Sequence, residues 1–182
     1  MKATGIVRRI DELGRVVIPK EIRRTLRIRE SDPLEIFTDR EGEIILKKYS
    51  PIGELSLFAQ QYAESLSQTL NCLVCICDMD QIVASAGIGK KEFQEKYLSG
   101  QIQKILESRN VVSVMKEDRG FTTVIAGQPE EYTGEMITPI ICEGDVIGGI
   151  LLLLKDGKRK FSDAEQKLSS CAAAFLGKQM EQ

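Results

Sequence analysis

The residue types that most often carry out chemistry are missing or scattered in this chain. Histidine is absent, which excludes Ser-His-Asp and Cys-His catalysis and any histidine-ligated zinc site. An enzyme would have to use lysine or paired carboxylates. Each candidate pair lies where a turn or a solvated face is expected, so we expect no catalytic residue and no enzymatic activity. The pairs are Asp78/Asp80, Glu117/Asp118 and Glu130/Glu131.

The five cysteines do not indicate a metal centre or a disulfide framework. Cys72 and Cys75 have the spacing of half a zinc site, but the chain contains no second pair of this kind. An odd number of cysteines also argues against a complete set of disulfides. We therefore expect all five to be small apolar core residues, with no metal ligands and no cofactor.

The composition is that of a globular protein, with 42% hydrophobic and 29% charged residues. Its longest apolar run, VIGGILLLL at 146–154, is far shorter than the roughly twenty residues of a membrane-spanning helix. The first residues lack the apolar core of a signal peptide. These features predict a cytoplasmic protein in which 146–154 is a buried strand.

Arginine is the residue type whose distribution indicates a function. Residues 1–29 contain nine basic and three acidic residues, a local net charge of +6. The other 153 residues contain 16 basic and 24 acidic ones, a net charge of −8. A basic end on an acidic chain is typical of nucleic-acid contact there, although a solvated charged face would have the same composition.

The elements that position these arginines are short. A turn over DELG separates two extended stretches, and Pro19 marks the start of a helix of about nine residues. Ile22 and Leu26 form the apolar edge of this helix, so its arginines lie on the other sides. The first fifty residues therefore read as hairpin, short helix and hairpin. The expected strands are GIVRRI (5–10), RVVIP (15–19), LEIFT (34–38) and EIILKK (43–48), with Gly42 at positive φ in the second turn.

Fifty residues without a disulfide or a metal bury too little surface to fold securely alone. A dimer of this segment would supply the missing core. It would also repeat the arginines by two-fold symmetry, which matches the pseudo-symmetry of duplex DNA.

The stretch TGIVRRIDELGRVVIPKEIRRTL, followed by DPLEI and EIILKKY, closely resembles the AbrB-type transition-state regulators of Gram-positive bacteria over residues 1–51. The resemblance implies a swapped-hairpin, β-barrel-like DNA-binding dimer with interleaved strands. Ser31 stands where relatives often carry glycine, which adds strain of about 1 kcal/mol if its φ is positive. The DNA-contacting residues that the resemblance implies are Arg8, Arg15, Arg23 and Arg24, with Arg9 at a further basic position.

The remaining residues predict a second domain over 54–182, after a linker at YSPIG (49–53). We expect an amphipathic first helix over 55–70 and a terminal helix opened by a Ser162/Glu165 capping box. Between them we expect a helix that includes Phe93, Tyr97 and Leu106. The expected strands are 73–78, 81–87, 111–115 and 121–127. A hairpin over 136–156 follows and turns at Glu143-Gly144-Asp145. Within it, Gly148-Gly149 predicts a bulge or close packing.

This element order resembles a GAF domain, so the expected fold class is α+β, with a swapped-hairpin domain followed by an α/β GAF-like domain. GAF domains bind small ligands or mediate dimerisation, and the sequence identifies neither a ligand nor ligand-binding residues. The two-domain layout resembles regulators of sporulation (forespore) genes, which act as activators or repressors. The first and last helices of the second domain either pack on the sheet or form a bundle with another chain, which would give a homotetramer.

Two alternatives remain open at this point. Related swapped-hairpin domains belong to antitoxins, which neutralise a toxin and regulate their own expression, although antitoxins usually present a flexible tail. The basic run DGKRKF (156–161) reads as a solvated turn, and a second DNA contact there is the other interpretation.

Overall fold

The computed structural model describes residues 5–128, 132–157 and 159–181. The chain divides into two compact units, the first ending at Tyr49 and the second beginning at Ser50. The expected domain limits of 1–51 and 54–182 differ from this division by a few residues.

The first unit consists of one short helix and one β-hairpin. Its elements are α1 (Lys20–Thr25), β1 (Leu34–Thr38) and β2 (Ile44–Lys48). The two strands pair antiparallel from Leu34 opposite Lys48 to Thr38 opposite Ile44. Gly42 in the connecting turn has a φ of +85°, as the turn composition predicts.

Two expectations for the first unit are wrong for the single chain. Residues 5–10 and 15–19 form no strands, although the turn between them is present and the Asp11 N–H donates to the Arg15 carbonyl at 3.0 Å. A strand needs a neighbouring ladder, and the described part of one chain offers none to these segments. The helix α1 has six residues instead of nine, because Pro19 is its N-cap residue and Leu26 already its C-cap.

The second unit is a five-stranded antiparallel sheet between two layers of helices and loops. The strands occur in the order β4-β3-β7-β6-β5. The elements are α2 (Pro51–Glu54), α3 (Ser56–Leu70), β3 (Leu73–Asp78), β4 (Ile82–Ala86), a 3₁₀ turn (Lys90–Glu92), α4 (Gly100–Glu107), β5 (Val112–Met115), β6 (Gly134–Cys142), β7 (Asp145–Leu154) and α5 (Asp163–Gln179).

The two faces of the sheet bury two separate apolar cores. One core lies under α2, α3 and α5 and includes Ile76, Ile150 and Leu176. The other lies under α4 and the loops beside it and includes Leu151 and Ile102. Because alternate residues of β3 and β7 point to opposite faces, both strands are apolar along most of their length, as the run at 146–154 predicts.

The segment expected to be a linker is largely structured. Residues 51–54 form α2, and Ile52 is buried in the core of the second unit with 1% of its surface exposed. The Ser50 hydroxyl donates to Asp78 Oδ2 at 2.7 Å and accepts the Gly53 N–H at 3.1 Å. Apolar burial and an N-cap therefore hold residues that the Ser-Pro-x-Gly composition suggested would be flexible.

Residues 121–127 were expected to form a strand and do not. Polar side chains and loop backbone, in place of a strand ladder, supply hydrogen-bond partners for the backbone groups of this segment. The Tyr132 hydroxyl accepts the Val124 N–H at 2.8 Å and donates to the Thr122 carbonyl at 3.1 Å. The Glu135 carboxylate accepts the Thr122 N–H at 2.9 Å. A β-branched sequence alone does not reveal such tertiary partners.

The expected helix over Phe93, Tyr97 and Leu106 is also shorter than predicted. The helix α4 begins after Ser99, whose hydroxyl accepts the Ile102 N–H. Tyr97 lies outside the helix and forms an isolated β-bridge with Gln81. Phe93 is still buried in the core under α4, so its apolar character was informative even though its helical assignment was wrong.

The β6–β7 hairpin agrees with the prediction. Glu143 and Gly144 have positive φ values, as a two-residue type I′ turn requires. The pairing register shifts beside Gly148, between Ile140 and Ile141. A Cβ atom at Gly148 would lie 2.0 Å from the Cys77 carbonyl oxygen, so this glycine marks both a bulge and a close approach of two strands.

The predicted capping box opens α5. Glu165 Oε2 accepts hydrogen bonds from the backbone N–H of Ser162 at 2.6 Å and from its hydroxyl at 2.9 Å. The Arg159 guanidinium binds Glu165 and also donates to the carbonyls of Leu70, at 2.6 Å, and Asn71, at 3.0 Å. Arg159 thus ties the end of α3 to the start of α5, and it is not part of a simple solvated turn.

The prediction that all five cysteines are core residues holds for three of them. Cys72, Cys75 and Cys77 are buried, whereas Cys142 is half-buried and Cys171 is exposed on α5. Burial raises the pKa of the Cys72 thiol to about 11. None of the helices in the described residues has the length and apolarity needed to cross a membrane.

We expect Glu165 to make the stability of the second unit pH-dependent. Burial tends to raise the pKa of Glu165, but hydrogen bonds from Ser162 and Arg159 outweigh it and lower the pKa. The stabilisation is therefore complete above the unfolded pKa of about 4.3 and is lost as the pH falls through the lower folded value. At pH 7, Glu165→Gln should cost about 1–3 kcal/mol of unfolding free energy.

Chemical denaturation of the full chain at pH 7 and at pH 3 measures this difference, which should shrink in acid. The control is Asp163→Asn, two residues away on the same helix, where the carboxylate pairs with Lys167 at an exposed position. That change should cost at most about 0.5 kcal/mol. A Glu165→Gln cost that is independent of pH would contradict the assignment.

Candidate nucleic-acid interface

All five arginines expected to contact DNA lie in the first unit. Arg8 and Arg9 lie on the exposed segment before the 11–15 turn, and Arg15 closes that turn. Arg23 and Arg24 are adjacent on the last turn of α1. Among the described residues, no hydrogen bond or ion pair occupies the guanidinium groups of Arg8, Arg9, Arg23 and Arg24.

Arg15 differs from the other four because it has a partner. Its Nε donates to Asp11 Oδ2 at 2.8 Å, and its backbone N–H donates to Asp11 Oδ1 at 2.8 Å. The Leu13 N–H donates to the same Oδ1 at 3.0 Å. The backbone and side-chain hydrogen bonds from Arg15 lower the pKa of Asp11, so its carboxylate is charged at neutral pH. Sequence reasoning missed this role, although Asp four residues before Arg around a glycine turn was a usable signal.

The helix α1 ends in a Schellman motif. The Ile28 N–H donates to the Arg23 carbonyl at 2.8 Å and the Arg27 N–H to the Arg24 carbonyl at 3.4 Å. Arg27 occupies the position usually taken by glycine, with a φ of +54°. Arg23 and Arg24 also lie at the negative end of the helix dipole, where a positive charge is favourable.

A second carboxylate fixes the loop that follows α1. Asp32 Oδ2 accepts the Arg29 N–H at 2.7 Å and forms an ion pair with Lys48 at 2.8 Å. Burial tends to raise the pKa of Asp32, but the hydrogen bonds from Lys48 and Arg29 lower it. Lys48 also donates to the Arg27 carbonyl at 3.3 Å, so one lysine on β2 holds the loop after the arginine helix.

The apolar residues of the first unit are exposed in the single chain. Within residues 5–49, Pro19 alone is buried. Val7 is 89% exposed and Leu13 is 74% exposed. An exposed apolar surface of this kind is typical of a protein–protein interaction site. Other exposed members are Ile10, Val16, Val17, Leu26, Ile36 and Ile44.

Carboxylates from two of the acid pairs accept hydrogen bonds from turn backbone in the described residues. Asp78 and Asp80 lie at the turn after β3, as expected, but both are buried, and Asp78 Oδ1 accepts the N–H groups of Asp80 and Gln81, each at 2.7 Å. Asp118 accepts the Met115 N–H at 2.7 Å. Within the described ranges no group of three potential metal-ligating side chains occurs. Glu130 and Glu131 lie outside the described residues.

Family comparisons agree with both halves of this structure. Residues 54–181 match the family described as stage V sporulation protein T C-terminal, transcription factor. Residues 7–54 match the family described as antidote-toxin recognition MazE, bacterial antitoxin. In fold, the chain is similar to the blue-light absorbing form of the Thermosynechococcus elongatus PixJ GAF domain, with a TM-score of 0.57 and 12% identity, covering 74% of this chain and 89% of that one. The structure thus combines an AbrB-type N-terminal domain with a GAF-like C-terminal fold.

Two curated relatives are similar at the sequence level. Stage V sporulation protein T of Bacillus subtilis (strain 168) is 50% identical over 182 residues, which is 100% of both chains. Transition state regulatory protein AbrB of the same organism is 71% identical over 51 residues, 28% of this chain and 52% of that protein. The chain belongs to the stage V sporulation protein T family, and it is a transcriptional regulator of sporulation. The resemblances and the α+β fold class expected from the sequence are confirmed.

Ser31 provides a test of backbone strain beside the arginine helix. Its φ is +67°, in the left-handed region that favours glycine. We expect Ser31→Gly to raise the unfolding free energy by about 0.5–1 kcal/mol, because glycine adopts this φ without steric cost. Denaturant titration of the full chain at one fixed protein concentration measures the effect.

Ser31→Ala is the matched control, since alanine removes the hydroxyl but keeps the steric penalty. It should be neutral or slightly destabilising. Equal stabilities of the glycine and alanine variants would show that Ser31 is not strained.

Proposed function

We propose that this regulator binds duplex DNA through Arg8, Arg9, Arg15, Arg23 and Arg24. The observation that carries the proposal is the first unit's concentration of positive charge, in which four of these guanidinium groups have no partner among the described residues. Arginine binds phosphate oxygens and guanine edges through paired N–H donors. The acidic remainder of the chain leaves this unit as the natural DNA-binding surface.

The recognition that we propose depends more on DNA shape than on base identity. The helix α1 has only six residues, so it is too short to act as a long recognition helix in the major groove. Arginines on an extended segment, a turn and a short helix can instead follow the phosphate backbone. Most contacts would then position the protein, and the deformability of the DNA would supply much of the selectivity.

We also propose that two chains interleave their first units into one dimer. The exposed segments at 5–10 and 15–19 have apolar side chains open to water and form no strand ladder in the single chain. Strands from a second copy would supply both the missing ladder and the missing core. Full burial of a valine, leucine or isoleucine side chain contributes about 1.5–3 kcal/mol, so several such residues would strongly favour the dimer.

A second interface between chains is proposed on the outer side of α3 and α5. Phe58, Tyr62 and Phe175 form an aromatic cluster with ring centroids 5.7–6.0 Å apart. Phe175 is 40% exposed, and Leu168 on the same helix is 43% exposed. If the first units and these helices join different chains, the assembly is a homotetramer. Ala172 and Ala173 face the core of the second unit, so they lie away from this proposed interface.

The antitoxin alternative has less support. It would require a C-terminal segment that is free to wrap around a toxin, whereas α5 continues to Gln179 and buries Leu176 and Gly177. The proposed regulator acts in the cytoplasm, where its DNA is located, and has no catalytic activity. A small-molecule ligand of the GAF-like unit stays a prediction without assigned residues.

We expect DNA binding to depend strongly on salt. In fluorescence anisotropy with duplex DNA, log K against log[salt] should have a slope of about −5 to −7, since each phosphate contact contributes roughly −0.9. Arg23→Ala/Arg24→Ala should weaken binding at least about tenfold and flatten the slope by roughly 0.9 for each phosphate that these two arginines neutralise. The paired control is Lys90→Ala/Lys91→Ala, which removes two adjacent exposed basic side chains from the second unit.

That control should change neither affinity nor slope. Equal losses of affinity in the two double variants would indicate a diffuse charge effect in place of a defined surface. Absence of duplex binding by the wild-type chain above background would overturn the proposal.

For the tetramer, we expect Phe175→Glu to reduce the mass in solution from four chains to two. A charge inside an aromatic contact is unfavourable because it must be desolvated. Light scattering coupled to size exclusion measures the mass. The control Gln166→Glu adds the same charge on the opposite flank of α5, and it should remain tetrameric. The exposed thiol of Cys171 offers a second readout, since maleimide should label it faster in Phe175→Glu.

A wild-type mass of two chains, with no change in Phe175→Glu, would contradict the second interface. The interleaved dimer of the first units would then remain as the only proposed assembly.

A further inference from the structure

Asp11 is an acidic residue in the middle of the proposed DNA-binding surface. It lies between Arg9 and Arg15 in the sequence, and both of its carboxylate oxygens accept hydrogen bonds from the turn that it closes. A negative charge so close to DNA phosphates would by itself weaken binding. Its position therefore needs a reason beyond electrostatic attraction to DNA.

The contacts of Asp11 separate into two functions. Oδ1 accepts the N–H groups of Leu13 and Arg15 and so shapes the turn. Oδ2 accepts the Arg15 Nε–H, at 2.8 Å, and so holds the guanidinium. This second contact engages Nε and leaves both Nη groups of Arg15 available, and 71% of the arginine side chain remains exposed.

We propose that Asp11 is a positioning residue for DNA binding, which fixes the Arg15 guanidinium with its two Nη groups directed outward. This inference rests on the proposed DNA-binding function and adds a residue that makes no DNA contact itself. A free arginine loses rotamer entropy when it binds DNA, and this loss weakens the affinity. An arginine already held by Asp11 has lost part of this entropy in the free protein, so less is lost on binding.

The geometry also explains why the holding group is a carboxylate attached to the turn. Oδ1 is fixed by two backbone N–H groups, so Oδ2 has a defined position relative to the chain. The ion pair is exposed and would be weak between two flexible side chains. Here one partner is rigid, so the pair limits Arg15 to fewer conformations even though it contributes little to stability.

The experiment compares Asp11→Asn with Glu12→Gln in the full chain. Both variants remove one negative charge from neighbouring positions of the same turn. Asparagine keeps an oxygen for the Leu13 and Arg15 N–H groups, but its amide nitrogen cannot accept the Arg15 Nε–H. Affinity is measured by anisotropy with the same duplex and salt series, and melting temperature is measured in parallel.

We expect Asp11→Asn and Glu12→Gln to differ in their effect on DNA affinity. Glu12→Gln should leave DNA affinity unchanged or raise it by up to about twofold, because a repulsive charge has been removed. Asp11→Asn should lower affinity by about three- to tenfold, with a salt slope close to wild type because Arg15 still reaches the DNA. Arg15→Ala should lower affinity further and flatten the slope by roughly 0.9.

A double-mutant cycle excludes a purely structural role. In the Arg15→Ala background, Asp11→Asn should no longer weaken binding, because the side chain that Asp11 holds is gone. If the loss of affinity persists in that background, or follows a fall in melting temperature, Asp11 only builds the turn and the proposal is wrong. Tighter binding by Asp11→Asn, like that of Glu12→Gln, would also overturn it.

The outcomes separate this inference from the function on which it rests. If wild type binds DNA but Arg15→Ala binds equally well, the inference fails and Arg15 is removed from the proposed surface, while DNA binding by the chain itself stands. If wild type does not bind duplex DNA, the proposed function fails and the inference fails with it.

Discussion

The first unit cannot bury its own apolar side chains, and the organisation of the molecule depends on this constraint. Of residues 5–49, only Pro19 is buried in the single chain, while valines and isoleucines along the same segment are open to water. A disulfide or a metal could compensate in so small a unit. The described residues contain neither, which is why the interleaved dimer is proposed for this unit.

The second unit, in contrast, buries its own apolar side chains. Its sheet is covered on both faces, and β3 and β7 are apolar at nearly every position because each face has its own core. The edge strand β4 is partly protected by Gln60 on α3. The side-chain amide of Gln60 donates to the Ser85 carbonyl at 3.2 Å and accepts the Ser85 N–H at 3.3 Å. This unit therefore has a core of its own.

Acidic side chains hold the loops of both units in a recurring way. Asp11, Asp32, Asp78 and Glu165 each accept one or more backbone N–H groups and also bind a side chain. The second partners are Arg15, Lys48, Ser50 and Arg159, respectively. In the arginine-rich first unit, Asp11 and Asp32 thus have a structural use, because each holds a basic side chain as well as loop backbone.

The sequence by itself determined the class of protein, the basic N-terminal unit, the order of most helices and strands, the β6–β7 turn and the α5 capping box. These features depend on local composition, periodicity and turn chemistry, which act between residues close in the chain. Tertiary structure alone decided that 121–127 is a loop held by Tyr132 and Glu135, that 51–54 is a helix anchored through Ile52, and that 5–10 and 15–19 form no strand in one chain. The pairing partners and buried acceptors that decide these points are distant in sequence or absent from the single chain, and local propensity is too weak to reveal them.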